Sequence, residues 1–345
     1  MAQAAFYERN RIIRIGEARP NPPGPGEVQV QIAYAGICGT DLHIYHGKMD
    51  WRVAPSQIMG HEVSGTVSQV GPGVQGFSIG DRVTVMPLKP CGDCPACRAG
   101  LSHICYNLKF LGIDTQGGFQ SYWTVPDYTV FKIPDGLSLK HAALIEPLAV
   151  ACHDVRLGEV HEGEQVVVLG GGPIGALVAL VAQRAGARVL VSEINPLRVE
   201  IARGLGLEVA NPQEVDLPAL LNERTSGAGA DVVFEVTAHP SGAEMMTRLP
   251  RARGRIVVVG IFGEPARVDL NRAFWRELRI RGARVYERED FQRAIQIAGS
   301  GSLPLDSLIS CVYPLERLQE AFEQLEQGGR AMKVLIQCSA HGTQQ

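Results

Sequence analysis

Four of the eight cysteines of this chain lie between residues 91 and 105, in the stretch KPCGDCPACRAGLSHIC. Cys91, Cys94, Cys97 and Cys105 have the spacing C-x2-C-x2-C-x7-C. Four thiolates from one loop can surround a zinc ion as a tetrahedron, which leaves no position for a substrate and stabilises the loop. An iron–sulfur cluster is the alternative, but the ferredoxin-like spacing and a following Cys-Pro are absent. The spacing therefore predicts a structural zinc site.

A glycine motif suited to nucleotide binding follows later in the chain. Gly170, Gly172 and Gly175 form G-x-G-x-x-G within VVVLGGGPIG, directly after an apolar run. The first two glycines permit a tight turn and close approach of a pyrophosphate, and the next helix supplies N–H donors. Glu193 ends the next predicted strand, where a carboxylate accepts ribose hydroxyls and repels a 2′-phosphate. NAD is thus favoured over NADP, although Arg198 could serve a phosphate or flank the adenosine.

A sparser set of residues has the chemistry of an open metal site. AGICGTDLHIYHG contains Cys38 and Asp41, and IMGHEVSGTV contains His61 and Glu62. Individually, Cys38 could be a small buried residue and His61 a turn histidine. Together, thiolate, imidazole and carboxylate make a zinc set with one position open, and zinc there could polarise a substrate oxygen. Asp41 could orient His61 or cap the local turn.

Two kinds of sequence must position these motifs. Up to about residue 145, alternating segments such as EVQVQIAYAG, VSGTVSQVG and DRVTVMP are separated by Gly and Pro, which predicts a β-rich barrel or sandwich. Later, continuous apolar strands alternate with helical sequence, which is typical of a parallel sheet covered on both faces. The strands predicted in this part are Gln165–Leu169, Arg188–Ser192, Asp231–Glu235 and Arg255–Gly260.

The C-terminal tail is too short to form a core of its own. DFQRAIQIAGSG and LERLQEAFEQLEQG indicate two amphipathic helices, and AMKVLIQC indicates a final strand. We expect this tail to pack onto the first domain. The predicted domains are therefore residues 1–147 with 288–345, carrying a metal lobe at about 88–107, and residues 148–287.

Composition excludes several function classes. The chain has 345 residues and 45% hydrophobic content, enough for two domains with cores. Its net charge of −3 comes without a basic stripe, so neither nucleic acid nor a membrane surface is favoured as a partner. The N-terminus has no signal-peptide pattern, and the longest apolar run is broken by Gly and Pro. We expect a cytoplasmic protein, where cysteine clusters bind metal more often than they form disulfides.

The order of the motifs resembles that of a known family. GICGTDLHIYHG, GHEVSGTV, GDRVTVMP, the four-cysteine lobe, EPLAV and VVVLGGGPIG follow one another across residues 25–340. This pattern resembles the zinc-dependent medium-chain alcohol/polyol dehydrogenases, most closely the threonine, sorbitol and butanediol dehydrogenase branch. The resemblance implies an α/β protein with a GroES-like β-rich catalytic domain, a Rossmann domain with a doubly wound parallel sheet, and active sites in the cleft between them. It also implies a homo-oligomer, commonly a homotetramer.

The resemblance assigns roles to individual residues. Cys38 and His61 match catalytic zinc ligands, so each chain would hold two zinc ions, one catalytic and one structural. Glu62 resembles the carboxylate that ligates or exchanges at that zinc. Glu146, in LIEPLAV, matches the glutamate that replaces a cysteine ligand in polyol-type members. Which glutamate is bound in a given state stays open.

The remaining matched positions concern proton transfer and the cofactor. Thr40 and His43 match a proton-relay pair that works with a cofactor ribose hydroxyl. The matched NAD contacts are Gly170, Gly172, Pro173, Ile174, Gly175, Glu193 and Arg198, with Val259, Ile261 and Tyr286 near the nicotinamide. Candidate pocket residues are Tyr45, Trp51, Phe119 and Tyr286, for each of which packing in a loop or at a domain boundary is an equal alternative.

These residues predict an enzyme that reversibly oxidises a small secondary alcohol, a polyol or vicinal diol, to the ketone with NAD. L-threonine 3-dehydrogenase is the alternative, but the sequence does not locate a site for an amino acid's carboxylate and ammonium. A zinc-ribbon nucleic-acid module is opposed by the near-neutral charge and the Rossmann segment. A non-catalytic NAD-binding regulator is opposed by the presence of the full catalytic set: Cys38, Thr40, His43 and His61.

Overall fold

A computed structural model describes residues 2–326 and 331–339. The chain divides into two compact units, residues 1–146 with 291–345 and residues 147–290. The divisions predicted from the sequence fall after residues 147 and 287. Among the described residues, no helix combines the length and apolar character needed to cross a membrane.

The first unit contains most of the β-structure. Its strands are β1 (Gln3–Tyr7), β2 (Ile13–Glu17), β3 (Glu27–Gly36), β4 (Gln57–Ile58), β5 (Glu62–Val70), β6 (Arg82–Val85), β7 (Leu88–Lys89), β8 (Lys109–Phe110), β9 (Tyr122–Pro126) and β10 (Val130–Lys132). Those of the second unit are β11 (Gln165–Leu169), β12 (Arg188–Ser192), β13 (Glu208–Ala210), β14 (Ala230–Glu235), β15 (Pro250–Val258) and β16 (Arg279–Gly282). The chain then adds β17 (Ile309–Pro314) and β18 (Lys333–Gln337) to the first unit.

The helices are four to thirteen residues long. They are α1 (Gly39–Tyr45), α2 (Pro95–Arg98), α3 (Leu139–Ala142), α4 (Ile145–Leu157), α5 (Pro173–Arg184), α6 (Pro196–Gly204), α7 (Leu217–Arg224), α8 (Pro240–Met246), α9 (Leu270–Arg276), α10 (Arg288–Gly299) and α11 (Leu318–Glu326). Asn195, Asp216 and Asp269 cap α6, α7 and α9 by accepting backbone N–H donors, which fixes where these helices begin.

A seven-stranded sheet organises the first unit. Its order is β10-β6-β5-β3-β18-β17, and β9 also pairs with β3. Strand β3 is central, and all its residues are buried or partly buried. The C-terminal strand β18 pairs antiparallel with β3, so that Leu335 lies opposite Gly36. This pairing brings residues near 333 beside the chain that leads into α1.

A six-stranded parallel sheet forms the second unit. Its order β13-β12-β11-β14-β15-β16 is that of a Rossmann fold, with the change of direction between β11 and β14. Strand β11 is buried throughout, as the apolar run QVVVL predicts for a sheet covered on both faces. The predicted doubly wound α/β class is thus confirmed.

Most strand predictions for this sheet agree with the structure. Strands β11 and β12 have the predicted bounds, and β14 begins one residue early. The strand predicted as Arg255–Gly260 begins earlier, at Pro250, and ends at Val258. It ends there because the N–H groups of Val259 and Gly260 both turn to the carbonyl oxygen of Glu235, at 2.8 and 2.9 Å. In the tail, α11 is preceded by a 3-10 turn, and the predicted residues 327 and 328 lie outside the described residues.

Candidate active site and metal centres

The four cysteines predicted to form a structural site do converge. The Sγ atoms of Cys91, Cys94, Cys97 and Cys105 all lie within 4.8 Å of one another. The short helix α2 begins directly after Cys94, and Pro95 at its first position leaves no extra N–H unsatisfied. Backbone N–H groups point at the sulfurs, and that of Cys97, followed by that of Tyr106, lowers the pKa of Cys94 to about 6. These donors favour the thiolate of Cys94, whereas lost hydration raises the pKa of Cys97 to about 12 and a hydrogen bond with Asp93 raises that of Cys91. A bound cation would stabilise the thiolate form of these two residues.

A second convergence joins residues that are distant in sequence. One ligand atom each from Cys38, His61 and Glu62 lies within 4.8 Å of the others. Cys38 stands at the N-terminus of α1, while His61 and Glu62 lie where β5 begins. The strand pair β3–β5, with Gly36 opposite Glu62, holds the two segments together. The edge of His61 meets the ring of Phe110 at 5.2 Å between centroids, which fixes the imidazole plane.

Asp41 is a buried neighbour of Cys38 and His61. Its Oδ2 accepts the N–H of Cys38 at 2.9 Å, and its Oδ1 lies 3.7 Å from Nδ1 of His61. Both sequence interpretations of Asp41 therefore have a physical basis, since it caps the turn and faces His61. Burial alone would lower the pKa of His61, but Asp41 and the Cys38 thiol outweigh it and raise that pKa well above its usual value. The site therefore favours positive charge.

The donor atoms fit a divalent metal ion. Oδ1 of Asp41 and Nδ1 of His61 are buried, and neither has a hydrogen-bond partner among the described residues. Buried polar atoms are rarely left in this state without a reason. A cation held by Cys38 and His61 would supply the positive charge that the site favours. A thiolate with an imidazole suits zinc.

Glu146 is buried near the beginning of α4. It lies close enough to raise the pKa values of both His61 and Lys333. Among the described residues, its carboxylate is not part of the group whose ligand atoms lie within 4.8 Å of one another. Glu62 is the glutamate that the structure brings to Cys38 and His61, while Glu146 stands nearby.

Lys333 is a site residue that the sequence analysis missed. Only 4% of the residue is exposed, and its Nζ lies 2.7 Å from each carboxylate oxygen of Glu62 and 3.2 Å from the carbonyl oxygen of Ile37. Burial would lower the pKa of Lys333, but Glu62 and Cys38 outweigh it and raise that pKa. A signal was present, because a lone lysine within the apolar strand AMKVLIQC requires a buried counter-ion.

The predicted relay residues share a helix. Thr40 and His43 are three positions apart on α1 and so lie on one face. Thr40 is partly buried, whereas His43 is exposed. Partial burial, followed by the charges of Lys48 and His46, lowers the pKa of His43. His43 is therefore mostly neutral at pH 7 and able to accept a proton.

The aromatic pocket candidates have different environments. Tyr45 stacks on Phe322 at 4.8 Å, and Phe119 meets the same ring edge-on at 6.4 Å. Both are buried, so for them the packing alternative holds. Trp51 is 81% exposed and is free to contact a ligand. Tyr286 is fully buried in the second unit.

The glycine loop has the geometry that nucleotide binding requires. Gly170 adopts φ +101°, a conformation that L-residues rarely take. A Cβ at Gly175 would overlap the carbonyl oxygen of Gly170, so only glycine permits this close packing of helix and loop. Helix α5 begins at Pro173 immediately after Gly172, and Ile174 lies in its first turn, half-buried. The free N–H groups of this turn lie at the change of strand order, where dinucleotides bind in such folds.

Glu193 fixes the neighbouring loop. Its Oε2 accepts the N–H of Gly171 at 2.8 Å, and its Oε1 accepts those of Ile194 and Asn195 at 2.7 and 2.8 Å. A guanidinium nitrogen of Arg198 lies 4.0 Å from Oε2, and Nε of Arg198 is buried with no partner in the described chain. The carboxylate and the guanidinium predicted to decide between NAD and NADP are therefore adjacent.

The residues predicted near the nicotinamide follow strand ends. Val259 and Ile261 lie directly after β15, where the backbone leaves the sheet, and Ile261 is 74% exposed. The buried carboxylate of Glu235 accepts the N–H groups of Thr237 and Ala238 at 2.9 and 3.3 Å. It thereby fixes the loop after β14, so the carboxyl ends of β14 and β15 form a defined edge.

Comparison with known proteins covers nearly the whole chain. The family described as "Alcohol dehydrogenase GroES-like domain" matches residues 24–135, and that described as "Zinc-binding dehydrogenase" matches residues 173–300. The 2-dehydro-3-deoxy-L-galactonate 5-dehydrogenase of Pseudoalteromonas atlantica is 50% identical over 98% of this chain and 99% of its own length. The L-threonine 3-dehydrogenase of Pyrococcus abyssi is 38% identical over 91% and 92%. A zinc-binding dehydrogenase of Sinorhizobium meliloti, solved with NADP, has a TM-score of 0.92 at 32% identity, covering 97% and 99%.

Proposed function

Since the chain belongs to the zinc-dependent medium-chain alcohol/polyol dehydrogenases, we propose that it reversibly oxidises a secondary alcohol of a polyhydroxylated substrate to the ketone, with NAD as the hydride acceptor. The observation that carries this proposal is the convergence of Cys38, His61 and Glu62, beside which Nδ1 of His61 and Oδ1 of Asp41 are buried without hydrogen-bond partners among the described residues. The four-cysteine loop supports a second zinc of structural role.

Cys38 and His61 would hold the catalytic zinc together with a glutamate, Glu62 or Glu146. Zinc in such a site acts as a Lewis acid that polarises the substrate's oxygen. Asp41 orients His61 from below and offsets the charge of the cation. Phe110, packed against the imidazole, keeps water from that side of the ring.

Thr40 and His43 would conduct the substrate's proton to solvent. The hydroxyl of partly buried Thr40 can accept the proton of the alcohol while it donates its own. His43 takes up a proton in its neutral form, which its lowered pKa maintains at pH 7, and its exposed ring releases that proton to water.

The cofactor would bind at the carboxyl edge of the parallel sheet. The loop from Gly170 to Gly175 would receive the pyrophosphate at the N-terminus of α5. Glu193 would accept the ribose hydroxyls and disfavour a 2′-phosphate, so we propose NAD as the preferred coenzyme. Arg198 is the residue that would admit NADP, the ligand of the Sinorhizobium meliloti structure. Val259 and Ile261 remain proposed contacts near the nicotinamide, whereas Tyr286 is fully buried, so for it the packing alternative holds.

A sugar acid or related polyol is the substrate class that we propose. The 50% identical relative is named for oxidation at carbon 5 of a deoxy sugar acid, whereas the threonine dehydrogenase is 38% identical. Purified protein should be assayed for NADH formation with 2-dehydro-3-deoxy-L-galactonate, sorbitol, 2,3-butanediol and L-threonine, each with NAD and with NADP. Turnover of the sugar acid or a polyol with NAD supports the proposal. Activity confined to L-threonine would replace it with the alternative.

We further propose a cytoplasmic homotetramer. None of the eight cysteines forms a disulfide, which agrees with a reducing compartment, where thiols stay available to bind metal. Strand β16 forms one edge of the parallel sheet and is exposed throughout, and Phe274 and Trp275 of nearby α9 are exposed as well. Unpaired edges and exposed apolar side chains favour self-association. Light scattering after size exclusion gives the mass in solution, and a mass other than that of four chains would contradict the homotetramer.

A further inference from the structure

Glu235 is a fully buried carboxylate of the parallel sheet that has no part in the mechanism above. It is the last residue of β14, and it forms no ion pair among the described residues. Burial raises the pKa of Glu235, and hydrogen bonds from Thr237 and Ala238 oppose this rise. A carboxylate buried without a cation is costly unless other donors satisfy it. The donors that satisfy Glu235 therefore indicate what it does.

These donors belong to two different loops. The carbonyl oxygen of Glu235 accepts the N–H groups of Val259 and Gly260, which follow β15. Its Oε1 accepts the N–H of Thr237 at 2.9 Å and also the hydroxyl of that residue, and its Oε2 accepts the N–H of Ala238 at 3.3 Å. One residue thus fixes the segments after β14 and β15 relative to each other.

Three glycines leave the space that the turn of residues 235–238 occupies. A Cβ at Gly242, in α8, would lie 2.5 Å from Oε1 of Glu235, and a Cβ at Gly260 would lie 2.8 Å from Oε2. A Cβ at Gly170 would lie 3.0 Å from the methyl group of Thr237. The turn is therefore packed against the phosphate loop as well as against the segment after β15.

Glu235 has a counterpart in the other half of the sheet. Glu193 directly follows β12, and its carboxylate also accepts N–H groups of neighbouring loops, among them that of Gly171. Folds of this type consist of two halves, each of which binds one nucleotide of the dinucleotide. Glu193 lies in the half proposed for the adenosine, so Glu235 lies in the half proposed for the nicotinamide.

We propose that Glu235 is a positioning residue that holds the nicotinamide-binding edge of the sheet in place relative to the phosphate loop. This inference rests on the proposed binding of NAD. Glu235 itself would not touch the cofactor, because its carboxylate is buried and both oxygens accept donors of its own turn. The phosphate loop has a separate anchor in Glu193, so loss of Glu235 should affect the nicotinamide half of the site and spare the adenosine half.

Glu235→Gln is the first test, because it keeps the size of the side chain but replaces one acceptor oxygen with a nitrogen that cannot accept. Calorimetric titrations of the enzyme with NADH and with ADP-ribose, which lacks the nicotinamide, separate the two halves of the site. The dissociation constant for NADH should rise about tenfold, the effect of losing one hydrogen bond to a charged group. The dissociation constant for ADP-ribose should stay near the wild-type value. In turnover, kcat should fall while the KM for the alcohol changes little, because hydride transfer depends on exact placement of the reacting groups.

Thr237→Val tests the same turn from its other side. It keeps a methyl group facing Gly170 but lacks the hydroxyl that donates to Glu235, so it should show the same selective loss of NADH affinity. The double variant Glu235→Gln/Thr237→Val should bind NADH no more weakly than the more severe single variant, because both substitutions disrupt one turn.

Asp231→Asn is the matched control. Asp231 lies on the same strand near its opposite end, where its Oδ2 accepts the N–H of Gln165 at 2.8 Å. Its substitution should lower the melting temperature without changing the ratio of the dissociation constants for NADH and ADP-ribose. Thermal unfolding would verify that each variant is folded.

Two results would overturn the inference. Equal weakening of NADH and ADP-ribose in a folded Glu235→Gln would make Glu235 a general structural residue. Unchanged NADH affinity in a folded Glu235→Gln or Thr237→Val would show that the turn does not position the nicotinamide edge, and the second variant decides if the first does not fold. Failure of the proposed cofactor is a different observation, because the wild-type enzyme would then bind neither NADH nor ADP-ribose.

Discussion

The two cysteine-containing sites of the first unit differ in how the chain builds them. The four-cysteine loop draws all its ligands from residues 91–105, and backbone N–H groups of the same loop point at the sulfurs. The site around Cys38 draws its members from α1, β5, α4 and β18, which only the complete fold brings together. The first site is closed by four identical ligands, and the second mixes thiolate, imidazole, carboxylate and ammonium. Closure gives stability, whereas the mixed set leaves charge and space for a substrate.

Cys38→Ser should produce the largest effect on activity. Removing a thiolate ligand from the open site loses several kcal/mol of transition-state stabilisation, which is a decrease of about 10³-fold or more in kcat/KM. The zinc content measured by mass spectrometry should fall by one ion per chain, while the melting temperature changes little. Activity near the wild-type level would show that the proposed contrast between the sites is wrong.

Cys97→Ser should have the opposite profile. The loop loses its closed site, and a cost of about 3 kcal/mol corresponds to a decrease of about 6–12 °C in melting temperature. Turnover per folded molecule at low temperature should stay near wild type, since the open site is intact. Calorimetry and a titration of active enzyme measure the two quantities. A stable but inactive variant would assign chemistry to the four-cysteine loop.

The contrast also explains how much the sequence could predict. The spacing of Cys91, Cys94, Cys97 and Cys105 was sufficient, because one loop contains the whole site. The parallel strands from Gln165 onward were predictable from continuous apolar runs. Lys333 was not recognised, because its partner Glu62 is 271 residues away and only the pairing of β18 with β3 joins them. The packing of Tyr45 and Phe119 on Phe322 could not be predicted for the same reason: tertiary contacts between distant segments decide whether an aromatic ring lines a pocket.

A chelator should remove zinc from the two sites at different rates. An open position lets a small bidentate chelator reach the metal, whereas a metal held by four thiolates presents no free position. Wild-type enzyme treated with 1,10-phenanthroline should lose activity together with the first zinc, and the second zinc should leave more slowly. Rapid sampling of zinc content and residual activity follows both events. Simultaneous loss of both ions would mean that the sites do not differ in access.

The smallest effect should come from Lys48→Met, which alters the open site through charge alone. Lys48 lowers the pKa of His43, second in strength to burial. In the proposed relay, oxidation requires neutral His43, so the rate should fall as the pH decreases through that pKa. Removing Lys48 raises this pKa, and the acid limb of kcat against pH should therefore move to higher pH while the plateau at alkaline pH is unchanged.

Lys48→Arg is the matched control, because it keeps the charge and should leave the acid limb in place. Added salt should shift the wild-type limb toward that of Lys48→Met, since exposed charges are screened, but should hardly affect Lys48→Met itself. If the limb does not move in Lys48→Met, a group other than His43 controls it. The open site would then release its proton by a route that does not pass through α1, and a loss of activity in His43→Gln could no longer be ascribed to proton transfer.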